Sequence, residues 1–104
     1  MGDKKKAERL IAIGTDVNTR NRYGFSPLHH AVARRDVEMV ELLLAHGANV
    51  NAKGQFDITP LHYASQEKIA ELLIANGANI EAVTDRGETP LHWMVASGIG
   101  EKTR

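Results

Sequence analysis

The sequence predicts an all-α repeat solenoid, in which helix-turn-helix units stack along one axis. Two recurring sets of letters carry this prediction. The first is a hydroxyl-proline-leucine-histidine motif, found as SPLHHA from Ser26, TPLHYA from Thr59 and TPLHWM from Thr89. The second is a glycine motif, found as GTDVN from Gly14, GANVN from Gly47 and GANIE from Gly77. Each glycine lies 13 residues before the next motif proline, at 14 to 27, 47 to 60 and 77 to 90. A fixed internal period of this kind is the signature of repeat architectures.

The first helix of each unit is predicted to begin at the motif proline. Ser26 and Thr59 supply a side-chain hydroxyl as N-cap. Proline follows at the first helical position, where its missing N–H removes no hydrogen bond. The second helix is predicted from apolar letters at i, i+1, i+3 and i+4, in VEMVELLLAHG and again in KIAELLIANG.

Each second helix is predicted to stop at a glycine. Gly47 and Gly77 are placed to end it in the left-handed conformation. The polar stretches that follow have the Gly, Asn and Asp content of turns or hairpins, and they end at Gly24, Asp57 and Gly87.

These motifs resemble the ankyrin repeat from about Glu8 to Gly98. The resemblance implies helix-turn-helix repeats with outward-pointing β-hairpin finger loops, and a non-catalytic surface that binds other proteins. It divides the single domain, residues 1–104, into a half repeat 1–20, a full repeat 21–53, a shortened repeat 54–83 and a partial C-terminal repeat 84–104. Three residues depart from the family pattern: Arg35 replaces the inter-helix glycine, Asp57 the finger glycine, and Met94 an alanine.

The third of these segments is shortened between its proline and its glycine. Pro27 and Gly47 are 20 residues apart, but Pro60 and Gly77 are only 17 apart. Removing three residues from the middle of a helix would rotate the following apolar face by about 60°. We therefore expect the loss at the end of the first helix and in its turn, around residues 65–67.

Composition excludes several functional classes. Lys and Arg number 13, as do Asp and Glu, so no net charge draws the chain to nucleic acid. Without cysteine there is neither a thiolate nucleophile nor a thiolate metal site. No apolar run approaches the roughly 20 residues of a membrane span, and MGDKKKAERL lacks the apolar stretch of a secretory signal. We expect a cytoplasmic protein that needs no cofactor, binds no membrane and is not an enzyme.

One histidine recurs in every unit, and it has two interpretations. His29, His62 and His92 occupy one register, so stacking would align them in a column. A metal site is disfavoured, because histidines one repeat apart cannot share an ion at ligand distances of about 2 Å. The resemblance implies instead that each histidine hydrogen-bonds the local backbone and the motif hydroxyl and ties its unit to the next. We predict a structural role for all three and no metal.

All five aromatic residues fall where the repeat pattern prescribes no particular residue. Because aromatic side chains on a rigid surface are typical of interface hot spots, we predict that they bind a partner protein. The alternative is packing between repeats, with Phe25 and Ile58 beneath the fingers. A basic fringe around the fingers favours an acidic or mixed-charge partner. The predicted binding residues are Arg22, Tyr23, Phe25, Gln55, Phe56, Ile58, Tyr63, Arg86 and Trp93.

The two ends of the array differ. Lys6 and Arg9 take the registers of Met39 and Leu42, which predicts a polar N-terminal cap. At the C-terminal end, Trp93, Met94, Val95 and Ile99 have no second helix to cover them. A partner, a second copy of the chain in a homodimer, or further repeats would cover this end.

Two functions fit these predictions. The first is a protein-interaction module that uses its finger loops and the concave face of its first helices. The alternative is a regulatory or targeting subunit of an enzyme whose catalytic residues are on another chain.

Overall fold

The computed structural model describes Lys5 and residues 16–97. In this part of the chain four α-helices alternate with turns: α1 (Pro27–Ala33), α2 (Val37–Ala45), α3 (Glu67–Ala75) and α4 (Pro90–Ser97). A tight turn, Gln55–Asp57, and a short 3₁₀ helix, Pro60–Tyr63, lie between α2 and α3. The predicted cap residues Lys6 and Arg9, and also Ile99, lie outside the described residues.

The motif letters start the first helices as predicted. The Ser26 hydroxyl accepts a hydrogen bond from the backbone N–H of His29, and the His29 side chain accepts one from the backbone N–H of Ser26. Pro27 then occupies the first helical position. The second helix α2 begins after Asp36, whose carboxylate accepts from the backbone N–H of Met39 at 3.1 Å. A local side chain therefore satisfies one of the free N–H groups at each of these helix starts.

Both second helices end in the same glycine motif. Gly47 and Gly77 have φ values of 89° and 94°. After α2, the N–H of Ala48 donates to the Leu43 carbonyl at 3.0 Å, and that of Gly47 to the Leu44 carbonyl at 3.2 Å. This pair of bonds is the Schellman arrangement, and it is repeated after α3. The predicted left-handed ends are confirmed.

The finger loops are closed turns, and no β-strand occurs within residues 16–97. In each finger one backbone N–H reaches the carbonyl four residues ahead: Asn21 to Phe25 at 2.9 Å, Gly54 to Ile58 at 2.8 Å and Thr84 to Glu88 at 2.9 Å. In none of the three fingers does a second backbone hydrogen bond extend this pairing into a β-ladder. The β-hairpin part of the predicted fold is therefore not confirmed.

The core lies between the two rows of helices and continues from unit to unit. Its most buried side chains include Leu28, Val32 and Val40 in the full repeat, and Leu61, Ile69 and Leu73 in the shortened one. They form one apolar cluster. Each unit therefore buries its apolar face against the next, which is how a solenoid obtains a core.

The shortened repeat loses residues from its first helix only. The helix α1 has seven residues, whereas its counterpart Pro60–Tyr63 has four and is a 3₁₀ helix. Both second helices have nine residues and end two residues before their glycine. The apolar face of α3 thus keeps its orientation toward the core.

Three non-glycine residues adopt the left-handed backbone: Arg35, Phe56 and Asp57, with φ of 59°, 60° and 61°. Asp57 is in register with Gly24 and Gly87, whose φ values are 82° and 76°. Arg35 ends α1 in the Schellman arrangement, since the N–H of Asp36 donates to the Ala31 carbonyl at 3.0 Å. The fold therefore retains the glycine conformation at positions where glycine is absent.

This retained conformation predicts a stabilising substitution. Arg35→Gly should raise the free energy of unfolding by about 1 kcal/mol, because glycine adopts positive φ without steric cost. Arg34→Gly is the matched control, since Arg34 is also exposed but has φ of −88°. It should lower the stability. Urea denaturation at constant m-value measures both changes; an Arg35→Gly midpoint at or below that of the parent chain would contradict the prediction.

Candidate protein-binding surface

The motif histidines each accept a hydrogen bond from their own unit. The Nδ1 atoms of His29, His62 and His92 accept from the backbone N–H of Ser26, Thr59 and Thr89 at 3.1, 3.1 and 3.0 Å. A backbone N–H can only donate, so Nδ1 carries no proton in this arrangement. In the neutral ring the proton is then on Nε2.

The Nε2 atoms link each unit to the next. His29 Nε2 donates to the carbonyl of Ile58 at 2.8 Å, and His62 Nε2 donates to the carbonyl of Glu88 at 2.9 Å. Burial lowers the pKa of His29, and the hydrogen bond to the Ile58 carbonyl opposes that shift. His92 is exposed, and no equivalent bond from its Nε2 occurs in the described part of the chain. Both ring nitrogens of His29 and His62 are thus occupied by structural bonds, and within the described ranges no three His, Asp or Glu side chains are grouped to hold a metal.

A second set of bonds between units was not predicted from the sequence. The Asn18 amide donates to the Gly47 carbonyl at 3.3 Å and accepts from the N–H of Asn49 at 2.7 Å. Asn51 does the same one unit later, with the Gly77 carbonyl at 3.1 Å and the N–H of Asn79 at 2.7 Å. The sequence feature that could have indicated these bonds is the asparagine four residues after both Gly14 and Gly47. Four residues after Gly77 the equivalent position is Glu81.

Three of the five aromatic residues pack along the stack. Phe25, Tyr63 and Trp93 follow one another with ring centroids 6.0 Å apart at each step. His29 contacts Phe25 edge-on at 5.2 Å, and His62 contacts Trp93 in the same way at 5.4 Å. These three rings are half-buried. Packing between repeats therefore accounts for most of their placement.

The other two aromatic residues project from the finger tips. Tyr23 is 51% exposed and Phe56 is 57% exposed. The guanidinium of Arg22 lies 5.8 Å from the centre of the Tyr23 ring. Gln55 and Arg86 are also exposed on the fingers. Ile58 differs from all of these, because it is only 6% exposed and packs beneath its finger. Its side chain therefore offers little exposed area, although it also lines the cleft between the second and third fingers. Its role in partner binding stays a prediction.

A cleft of about 290 Å³ separates the second finger from the third. Phe56 and Trp93 contribute rings to its lining, and Asp85, Arg86 and Glu88 contribute charged groups. The N–H of Asp85 donates to the carbonyl of Phe56 at 2.9 Å, which joins the two fingers directly. The indole N–H of Trp93 donates to Oε1 of Glu88 at 3.1 Å.

The alternation of helix pairs, the histidine bonds and the outward fingers agree with a comparison against protein families. A model described as ankyrin repeats (3 copies) matches residues 1–84. The chain belongs to the ankyrin repeat family. A comparison with curated proteins gives no match. Ankyrin repeats are generally protein-interaction modules and are typically non-catalytic, so the predicted protein-binding nature of the chain is supported. No helix of the described part has the length and apolar character needed to cross a membrane.

Toward its C-terminal end, the described part of the array exposes residues whose counterparts in earlier units are buried. Leu91 is 66% exposed, whereas Leu61 in the same register is 1% exposed. Ile80 is exposed, although its counterparts Val17 and Val50 are buried. An open apolar cleft of about 640 Å³ lies here, and its lining includes Leu61, Ile74, Ile80, Leu91 and Met94. We call this cleft the C-terminal face.

The histidine geometry predicts unequal costs for one substitution made in two ankyrin units. His62→Gln should lower the free energy of unfolding by about 2–3 kcal/mol, because a buried ring loses bonds on both nitrogens. His92→Gln removes only the local bonds to Thr89 and should cost less than about 1 kcal/mol. Denaturant titration of both variants measures the difference. Equal losses would show that the bond to the Glu88 carbonyl contributes nothing.

Proposed function

We propose that this ankyrin repeat domain is a non-catalytic module that binds a partner protein through its finger loops and the concave face of its first helices. The observation that carries the proposal is the pair of exposed rings, Tyr23 and Phe56, on successive finger tips. Arg22, Gln55 and Arg86 surround them. This combination of aromatic and arginine side chains is the one that dominates binding energy at protein interfaces.

The rigidity of the fingers supports this proposal. Asn21 fixes the first finger, because its side-chain oxygen accepts from the N–H groups of Tyr23 and Phe25 at 2.9 and 3.1 Å. The second finger is joined to the third by the bond from Asp85 to Phe56. Rings held on fixed loops lose little conformational freedom on binding, and affinity gains from that preorganisation.

The half-buried rings form the base of the same surface. Tyr63 and Trp93 occupy one register of successive first helices, and His30 precedes them in that register. Part of each ring remains accessible beside the fingers. We include Tyr63 and Trp93 in the proposed surface for this reason, and Phe25 as the support beneath Tyr63.

Alanine substitution tests the exposed rings. The double variant Tyr23→Ala, Phe56→Ala should lose binding to a partner captured from cell extract, with a fall in affinity of at least about 100-fold if both are hot spots. Its stability should change by less than about 1 kcal/mol, because both side chains are more than half exposed. The measurements are calorimetry for binding and denaturant titration for stability.

The control substitutes two exposed side chains of the helix α2, outside the fingers and the C-terminal face. Glu38→Ala, Glu41→Ala should leave partner binding unchanged. A folded Tyr23→Ala, Phe56→Ala variant with full affinity would overturn the proposal. Mass spectrometry of the captured partner separates an interaction module from the alternative, a regulatory or targeting subunit, because an enzyme is recovered in the second case.

We also propose that a second copy of the chain covers the C-terminal face in a homodimer. The exposure of Leu91, Ile80 and Ile74 favours this, since a contiguous apolar patch is typical of association sites. A two-fold axis would place each apolar cleft against its equivalent, as in most closed dimers.

A charge placed in this cleft should separate the copies. Leu91→Glu should shift the sedimentation coefficient from that of a dimer to that of a monomer, because a dimer would have to bury the carboxylate. Val83→Glu is the control, since Val83 is also exposed but does not line the cleft. A parent chain that sediments as a monomer at all concentrations would refute the homodimer.

A further inference from the structure

We infer that the cleft between the second and third fingers receives a basic side chain, arginine or lysine, of the partner protein. The inference rests on the proposed function and specifies what the partner presents there. It is carried by three properties of the cleft: two aromatic walls, two carboxylates that form no ion pair within the described residues, and a volume of about 290 Å³. That volume is large enough to admit one long side chain.

The first wall is Phe56, whose backbone is held in a tight turn. Its φ and ψ of 60° and 23° are left-handed, and Asp57 follows with φ of 61°. Two central residues with positive φ are typical of a type I′ turn, here closed by the bond from the Ile58 N–H to the Gln55 carbonyl at 3.2 Å. Left-handed non-glycine residues cost about 1–3 kcal/mol each, and such strain is concentrated at binding sites. The turn directs the Phe56 carbonyl to the N–H of Asp85, on the far side of the cleft.

The second wall is Trp93, which is held on three sides. Its ring contacts His62 at 5.4 Å and Tyr63 at 6.0 Å, and its indole N–H donates to Oε1 of Glu88 at 3.1 Å. The same Oε1 atom lies 3.3 Å from the Thr84 hydroxyl, which donates to it. The position of the Glu88 carboxylate is therefore fixed together with that of the ring.

The charges of the cleft favour a cation. Its lining has two carboxylates, Asp85 and Glu88, and one guanidinium, Arg86. Across the residues that the structure describes, neither carboxylate forms an ion pair, and Oε2 of Glu88 accepts no hydrogen bond. An aromatic face is also negative and attracts cations. The apolar stem of an arginine or lysine would pack on the two rings while its charged end met Glu88 and Asp85.

Other side chains fit this cleft less well. An acidic side chain would meet two like charges for one guanidinium. An apolar side chain would remove water from both carboxylates and return no hydrogen bond. The positive charge of Arg86 repels a cation. Removal of this charge should therefore raise the affinity of the cleft for a basic probe.

Trp93 provides the readout, because it is the single tryptophan of the chain. The probes are the peptides acetyl-Gly-Arg-Gly-amide, acetyl-Gly-Lys-Gly-amide, acetyl-Gly-Glu-Gly-amide and acetyl-Gly-Leu-Gly-amide, titrated at low salt. We expect a saturable change in Trp93 fluorescence with the basic peptides only, which weakens as salt is added. Equal responses to all four peptides, or a stronger response to the glutamate peptide, would overturn the inference.

Charge-removing variants locate the binding site. Glu88→Gln keeps an amide oxygen for the indole N–H, and Asp85→Asn keeps the backbone N–H that binds Phe56. Each variant should lower the affinity for the arginine peptide by about two- to fivefold, which is the range for one partly exposed ion pair. Arg86→Gln should raise the affinity for the arginine peptide, because it removes the one positive charge that lines the cleft. Unaltered affinity in the double variant Glu88→Gln, Asp85→Asn would contradict the assignment.

The captured partner separates this inference from the proposed function. If Tyr23→Ala, Phe56→Ala abolishes partner binding but Glu88→Gln, Asp85→Asn has no effect, the surface is correct and the basic side chain is not. If neither double variant changes the affinity, both proposals are wrong. Loss of affinity in both supports both.

Discussion

The hydrogen bond from a motif histidine to the carbonyl of the following finger is the interaction on which the rest of this stack depends. His29 and His62 each accept from the backbone at the start of their own helix and donate to the next unit, at Ile58 and Glu88. One side chain therefore fixes a helix start, a finger and the distance between two units. The Asn18 and Asn51 amides make a parallel connection at the other end of the units. The histidine bonds satisfy buried or partly buried backbone groups, and the asparagine bonds add exposed connections between the same units, so the stack has little freedom to slide.

A rigid stack explains how strain and exposed rings coexist in so small a protein. Phe56 and Asp57 keep a left-handed turn that glycine would adopt more easily, and Arg35 does so at the end of α1. Neighbouring units hold these conformations in place, as the bond from Asp85 to Phe56 illustrates. Contacts between units thereby offset the conformational cost of the left-handed backbone, while the ring of Phe56 stays exposed to solvent. Side chains that the repeat does not require are left available for recognition.

The same logic accounts for the asymmetry between the interior units and the last one. Leu28 and Leu61 are buried because another unit covers each of them, and Leu91 has no such cover in the described part of the chain. His92 likewise keeps its local bond to Thr89 without a bond to a following unit. Within residues 16–97, apolar exposure and a motif histidine without a bond to a following unit thus occur together, because no further unit lies in that range to cover them.

Features that depend on a few consecutive residues could be read from the sequence. Those include the period of the array, the hydroxyl and proline at each helix start, and the glycine ends after α2 and α3, because capping and left-handed termination are set within one turn of helix. Features that depend on contacts between units could not. The sequence left open whether Phe25 and Ile58 pack inward or join Tyr23 and Phe56 at the surface, since burial is decided by the neighbouring finger. Nor did they predict that Arg35 and Phe56 would be left-handed, or that the fingers would stop at one closing bond, because those outcomes follow from long-range hydrogen bonds that only the folded stack brings together.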